Sequence, residues 1–112
     1  MKKIVKMSRV TELDIINAES SESFKSAVGQ AIDLMGAAIV EDDKSGEGEL
    51  YAYIFAADGS VYGGNSDTIR GAVDQFIDYM ELHEDKEFTA TVTARPSSNG
   101  REFLTIRFAE VK

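Results

Sequence analysis

The chain has no cysteine, no tryptophan, one proline and one histidine among its 112 residues. Without cysteine there is no disulfide framework and no thiolate zinc site, a composition compatible with a reducing compartment. One histidine, His83, cannot supply a histidine metal cluster or a Ser-His system with ligands to spare. Apolar runs are short as well. None approaches the ~20 residues that cross a bilayer, and Met-Lys-Lys-Ile-Val-Lys turns polar before a signal-peptide core could form. No membrane partner is therefore expected, and the cytoplasm is the expected setting. Excess positive charge is also missing: 12 Lys+Arg against 20 Asp+Glu leave −8, which argues against a bulk nucleic-acid binder. What remains is an ordinary globular composition, 43% hydrophobic, suited to a single domain over residues 1–112.

The acidity is regional. Residues 1–10 hold Lys2, Lys3, Lys6 and Arg9 with no acid, and residues 95–112 hold Arg95, Arg101, Arg107 and Lys112 against Glu102 and Glu110. The stretch between them has 18 acids and 4 bases, densest at Glu41-Asp42-Asp43 with Glu47 and Glu49, and from Asp74 to Glu87. Such runs read first as solvated faces. Net charge sets the far field, whereas a local face with arginines and aromatic rings can still draw a phosphate backbone.

Period-two alternation marks two hairpins. Leu50, Ala52, Ile54 and Ala56 alternate with Tyr51, Tyr53 and Phe55; Asp58-Gly59 then supplies a turn and Ser60-Val61-Tyr62 resumes extended structure. Near the C-terminus, Phe88, Ala90, Val92 and Ala94 alternate with Thr89, Thr91 and Thr93. The turn Pro96–Gly100 follows, and then Phe103, Thr105 and Arg107 alternate with Leu104, Ile106 and Phe108. Between the hairpins, Ile69, Ala72, Val73, Phe76, Ile77 and Met80 form one apolar stripe, predicting a helix over 67–84 capped by Ser66 or Asp67. The N-terminal part is less defined. Leu13–Ile16 reads as a strand and Glu19–Ser23 as a loop. Residues 24–40 fit either a helix or a bent strand with a bulge at Gly36.

With a strand over 30–43, the order is strand, hairpin, helix, hairpin. That order predicts a mainly β fold with one helix, an OB-fold-like, five-stranded, partly open barrel over 24–112 preceded by an arm or strand over 1–23. With a helix there, the alternative is an α+β layer of two hairpins and two helices.

Catalytic groupings are scarce. Glu41, Asp42 and Asp43 lack the spacing of a calcium loop. Gly59, Gly63 and Gly64 precede a helix without the Lys-Ser/Thr of a phosphate loop, and Gly46 and Gly48 flank acids. His83 reads as a favourable charge at a helix C-terminus, and Ser97-Ser98 has no base nearby. The expectation is a protein that is not an enzyme and takes no cofactor and no metal. The constellation left is aromatic and basic: Tyr51, Tyr53 and Phe55 on one strand face, Phe103, Thr105 and Arg107 on another, with Arg95 and Arg101 beside the turn. Rings on a sheet let unpaired bases stack while arginines follow the backbone, at about 1–3 kcal/mol per base.

The run Ile54-Phe55-Ala56-Ala57-Asp58-Gly59-Ser60-Val61-Tyr62 resembles a segment of the small single-stranded-DNA-binding proteins of protein-primed Bacillus phages. The likeness continues through Thr68, Ala72, Ile77 and Asp78, then Phe88, Val92, Ser97-Ser98, Gly100, Phe103 and Leu104. Upstream, Asn17-Ala18, Ser23-Phe24-Lys25 and Ile32 also correspond. The resemblance implies an OB-like fold in which residues 30–43 are the first barrel strand. It also implies sequence-tolerant binding that coats and protects displaced single-stranded DNA during replication, in the host-cell cytoplasm. Phe55 and Tyr62 are the rings it matches; Tyr51 and Tyr53 rest on alternation alone. A replicative polymerase and a second copy of the chain are candidate further partners. The competing reading is an acidic protein-interaction module, such as a DNA-mimicking inhibitor of a host nuclease or defence complex.

Overall fold

A computed structural model describes residues 2–42, 49–96 and 98–111. Asp43, Gly46, Glu47, Gly48, Ser97 and Lys112, which enter the charge and turn readings above, lie outside the described residues. The chain runs β1 (Lys2–Ser8), α1 (Glu12–Ile16), a 3-10 turn (Asn17–Ser20), β2 (Glu22–Ser23) and a second 3-10 turn (Phe24–Ala27). It continues through β3 (Ala31–Asp42), β4 (Glu49–Ala56), β5 (Val61–Gly64), α2 (Asp67–Leu82), β6 (Phe88–Pro96) and β7 (Glu102–Glu110).

β3 organises the sheet by serving different partners at its two ends. Residues 34–42 pair antiparallel with β4, residues 31–33 pair with β6, and residues 37–42 also take β1. A strand shared in this way has to bend, and the register shifts between Leu34 and Gly36. Glycine is required at the bend because β1 runs so close there: a Cβ at Gly36 would collide with the Ser8 carbonyl oxygen and the Val10 side chain. The helix alternative for residues 24–40 is thereby ruled out: Phe24–Ala27 is a 3-10 turn, a further turn at Gly29 follows, and the chain is extended from Ala31 on. β7 pairs with β6 alone, and β5 takes the two-residue β2 in parallel on its outer edge. The result is the expected mainly β, OB-like half-barrel with one main helix, to which β1 and β2 add two short strands.

The stripe of α2 fills the concave side. Ile69, Val73, Phe76, Ile77 and Met80 are buried against Ile39, Ile54, Phe88 and Val92, with Phe24 in the same core. Each such side chain contributes about 1.5–3 kcal/mol when fully buried. Two details differ from expectation. Ser66 is the N-cap residue, but its side chain makes no capping hydrogen bond, and Asp67 instead pairs with Arg70 at 3.0 Å. Asp74 and Asp78, read as part of a solvated face, hold the Lys6 ammonium at 2.6 and 3.1 Å, tying β1 to the helix.

The Asp74 hydrogen bond, and after it the Asp78 bond, raises the Lys6 pKa above its ordinary 10.5. A folded pKa above the unfolded one adds stability that is fully present below 10.5 and is lost as pH rises through the folded value. In an alkaline series the thermal midpoint of the wild type should therefore fall more steeply above pH 10.5 than that of Lys6→Met. Parallel curves would show that the contact adds nothing.

The N-terminal arm corrects two expectations. Leu13–Ile16 is not a strand but part of α1. The Thr11 side chain accepts from the Asp14 N–H at 3.2 Å and the Asp14 carboxylate accepts from the Thr11 N–H at 2.8 Å, a reciprocal cap that starts a helical turn. Glu19–Ser23 is not all loop either, since it contributes to the 3-10 turn and to β2. Between β1 and α1, Arg9 has φ of 64°, alone among the described non-glycine residues in being positive, at a cost of about 1–2 kcal/mol. Its guanidinium donates to the His83 carbonyl at 2.6 Å and stands 5.2 Å from the centre of the Phe88 ring. This corner turns the chain onto the outer face of the sheet. There Ile15 and Ala18 pack against Ala38, Val40, Tyr53 and Phe55 as a second, smaller core.

Candidate nucleic-acid interface

The expected open face of β4 is roofed. Tyr53 is 7% exposed and Phe55 2%, both under α1 and the 3-10 turn that follows it. Alternation identifies two faces of a strand but not whether a second layer covers one of them. The Tyr53 ring also lies over Gly63, its cross-strand partner, where a Cβ would meet the ring. Burial pushes the Tyr53 phenol pKa up, with the Asp42 charge adding to it. Tyr62, opposite Ile54, is buried in the main core. Of the four rings expected on β4 and β5, only Tyr51 keeps partial exposure. Its hydroxyl donates to the Glu49 carboxylate at 2.9 Å, which raises the phenol pKa.

The closing hairpin behaves differently. Phe88, Ala90 and Val92 of β6 and Leu104, Ile106 and Phe108 of β7 turn toward the core, so the alternate positions form the outer face. Across the two strands this face reads Thr91 opposite Arg107, Thr93 opposite Thr105 and Arg95 opposite Phe103. Directly opposed side chains lie about 5 Å apart, so the Arg95 guanidinium and the Phe103 ring share one patch. Phe103 is 40% exposed, a large ring left in water. Arg95 and Arg107 are exposed, with no carboxylate partner among the described residues. Arg101 is exposed in the turn just before β7. Expected residues from both sides of that turn are thus brought together, while Tyr51 stands apart on β4.

Sequence reasoning placed Thr105 on this face but gave its threonines no role. Thr93 and Thr105 hydrogen-bond through their hydroxyls at 2.8 Å, fixing the middle of the strip. The signal was present in Thr89, Thr91 and Thr93 alternating with Phe88, Ala90 and Val92, because such a run wets one side of a strand. Asp33, which shares a register position with Thr89, bounds the strip with a negative charge. The N-terminal cations are not equivalent to the C-terminal ones: Lys6 is bound to α2 and Arg9 to the His83 carbonyl. The exposed arginine-and-ring face lies on the C-terminal hairpin.

Comparison with known proteins bears on the partner. The model of a Phi29-type family, described as phage single-stranded DNA-binding protein, matches residues 4–109. No curated protein matches the chain, and no solved structure does. The match runs from β1 to β7 and favours DNA as the partner over the acidic inhibitor considered above. The chain therefore belongs to the Phi29-type phage single-stranded DNA-binding proteins and binds single-stranded DNA in phage replication.

Proposed function

We propose that the single strand crosses the outer face of the β6–β7 hairpin. A base stacks on Phe103, Arg95 and Arg107 meet phosphates, Arg101 reaches them from the turn, and Tyr51 is a secondary contact. The observation that carries this reading is the exposed Phe103 ring with Arg95 directly opposite and Arg107 on the same face. Aromatic and arginine contacts suit any base and backbone, so binding of this kind is sequence-tolerant. In replication the protein coats and shields the displaced strand beside the replicative polymerase, in the host-cell cytoplasm, and performs no covalent chemistry itself. Residues 1–112 act as one unit, with 1–23 as its arm.

Titration of labelled oligo(dT) at increasing salt tests the reading. Three arginine–phosphate contacts predict a slope of log K against log salt of about −2, from roughly 0.7 per contact on a single strand. A slope near zero would remove the arginines from the interface, and no binding at micromolar protein would sink the reading altogether.

A further inference from the structure

The outer face of β4 and β5 is the side on which OB-folds hold oligonucleotides, and here a strap of residues 10–21 lies over it. Three features distinguish the strap from an ordinary layer of the core. Its root carries two penalties in succession: Ser8 is 2% exposed and its hydroxyl has no hydrogen-bond partner, and Arg9 is held at positive φ by its contacts with the His83 carbonyl and the Phe88 ring. Strained backbone of this kind persists where the surroundings impose it and gathers at switch regions. Its grip is narrow: among the described side chains Ile15 and Ala18 are fully buried and Val10 packs partly buried beside them. Its outward side is also apolar, Leu13 being 64% and Ile16 57% exposed, so the closed position leaves two large side chains in water. Beneath it lie Tyr53 and Phe55, with Tyr51 half-exposed at the margin.

We propose that the face under the strap is a second base-stacking surface for single-stranded nucleic acid. Binding exchanges the strap for bases: residues 10–21 lift about Arg9 and Ser21, and Tyr53 and Phe55 take over the stacking that Phe103 begins. The inference rests on the hairpin reading, since the strand first engages β6–β7. It explains why a protein that stacks bases keeps rings on its β4 face and covers them with so short a segment. Loosening the cover then raises affinity, which a purely structural layer would not do.

The experiment uses the full chain with oligo(dT). Because the protein has no cysteine, Ala18→Cys gives a single thiol whose reaction with a disulfide reagent reports strap opening. Amide hydrogen exchange over residues 13–18 of the wild type gives the same readout without a substitution. Saturating oligo(dT) should raise both rates several-fold, and Ile15→Ala should bind oligo(dT) about three- to tenfold more tightly. Rates unchanged or slowed by oligonucleotide, or an Ile15→Ala affinity equal to or below the wild type, would overturn the proposal. Failure here remains distinct from failure of the hairpin reading. In the first case Arg107→Ala still weakens binding while the strap stays protected; in the second, affinity ignores the hairpin substitutions.

Discussion

Gly36→Val should destabilise the protein by about 3 kcal/mol, the upper end of overpacking costs, and lower the thermal midpoint on the order of 10 °C. A valine there would drive its Cβ into the Ser8 carbonyl and the Val10 side chain. A carbonyl in a paired strand cannot step aside as a flexible side chain can. β1 would have to separate from β3 at its Ser8 end, where Met7 and Ser8 pair with Ala38 and Ala37, and the start of the strap would move with it. Gly71→Ala is the control. It lies in the exposed middle of α2 with nothing within 4 Å of an added Cβ, and should stabilise the chain by about 0.8–1 kcal/mol through helix propensity. Thermal melts of the two variants beside the wild type decide the matter. Equal midpoints for Gly36→Val and wild type would mean that β1 does not approach β3 so closely.

The second large effect is on binding. Phe103→Ala should weaken oligo(dT) by roughly 1–3 kcal/mol, about 5- to 150-fold, and leave the thermal midpoint nearly unchanged because the ring is already 40% exposed. Arg107→Ala should weaken it less at low salt and reduce the salt slope by about 0.7. The two losses should differ in kind, since stacking resists salt and phosphate pairing does not. Phe55→Ala is the instructive contrast. Its ring is 2% exposed, so truncation should cost on the order of 3–5 kcal/mol of stability. An oligo(dT) affinity lowered only by Phe55→Ala and not by Phe103→Ala would move the interface away from the hairpin.

Much of this architecture was legible in the residues. Both hairpins follow from alternation and α2 from the Ile69–Met80 stripe, because each element is long enough to repeat its own period; the pattern of residues 24–40 fits a helix as well as a strand bent at Gly36, and only the family resemblance favours the strand. The arm was not. α1 spans five residues, too few for helical periodicity, and Leu13, Ile15 and Ile16 are as apolar as a strand. The legible clue was Thr11 with Asp14 three positions on, a start signal that fits no strand. The roof over Tyr53 and Phe55 was hidden for a related reason: what covers them is a pair of small contacts, Ile15 and Ala18, brought from 35 or more positions away. The arginines presented the opposite case. Composition made the two basic ends look alike, and only the fold separates Lys6 and Arg9, bound within the protein, from Arg95 and Arg107, held in solvent.

The unclosed barrel has one further consequence. β7 ends the sheet among the described residues, and an uncovered strand edge invites another chain to extend it. Two copies meeting antiparallel about Ile106 would set Glu102 of each against Glu110 of the other, a like-charge opposition that Lys86, 3.0 Å from Glu110, partly offsets. With Glu110 held by Lys86, the unpaired repulsion at such a seam comes from Glu102, so the β7 edge is discouraged from pairing with a second copy rather than closed to it.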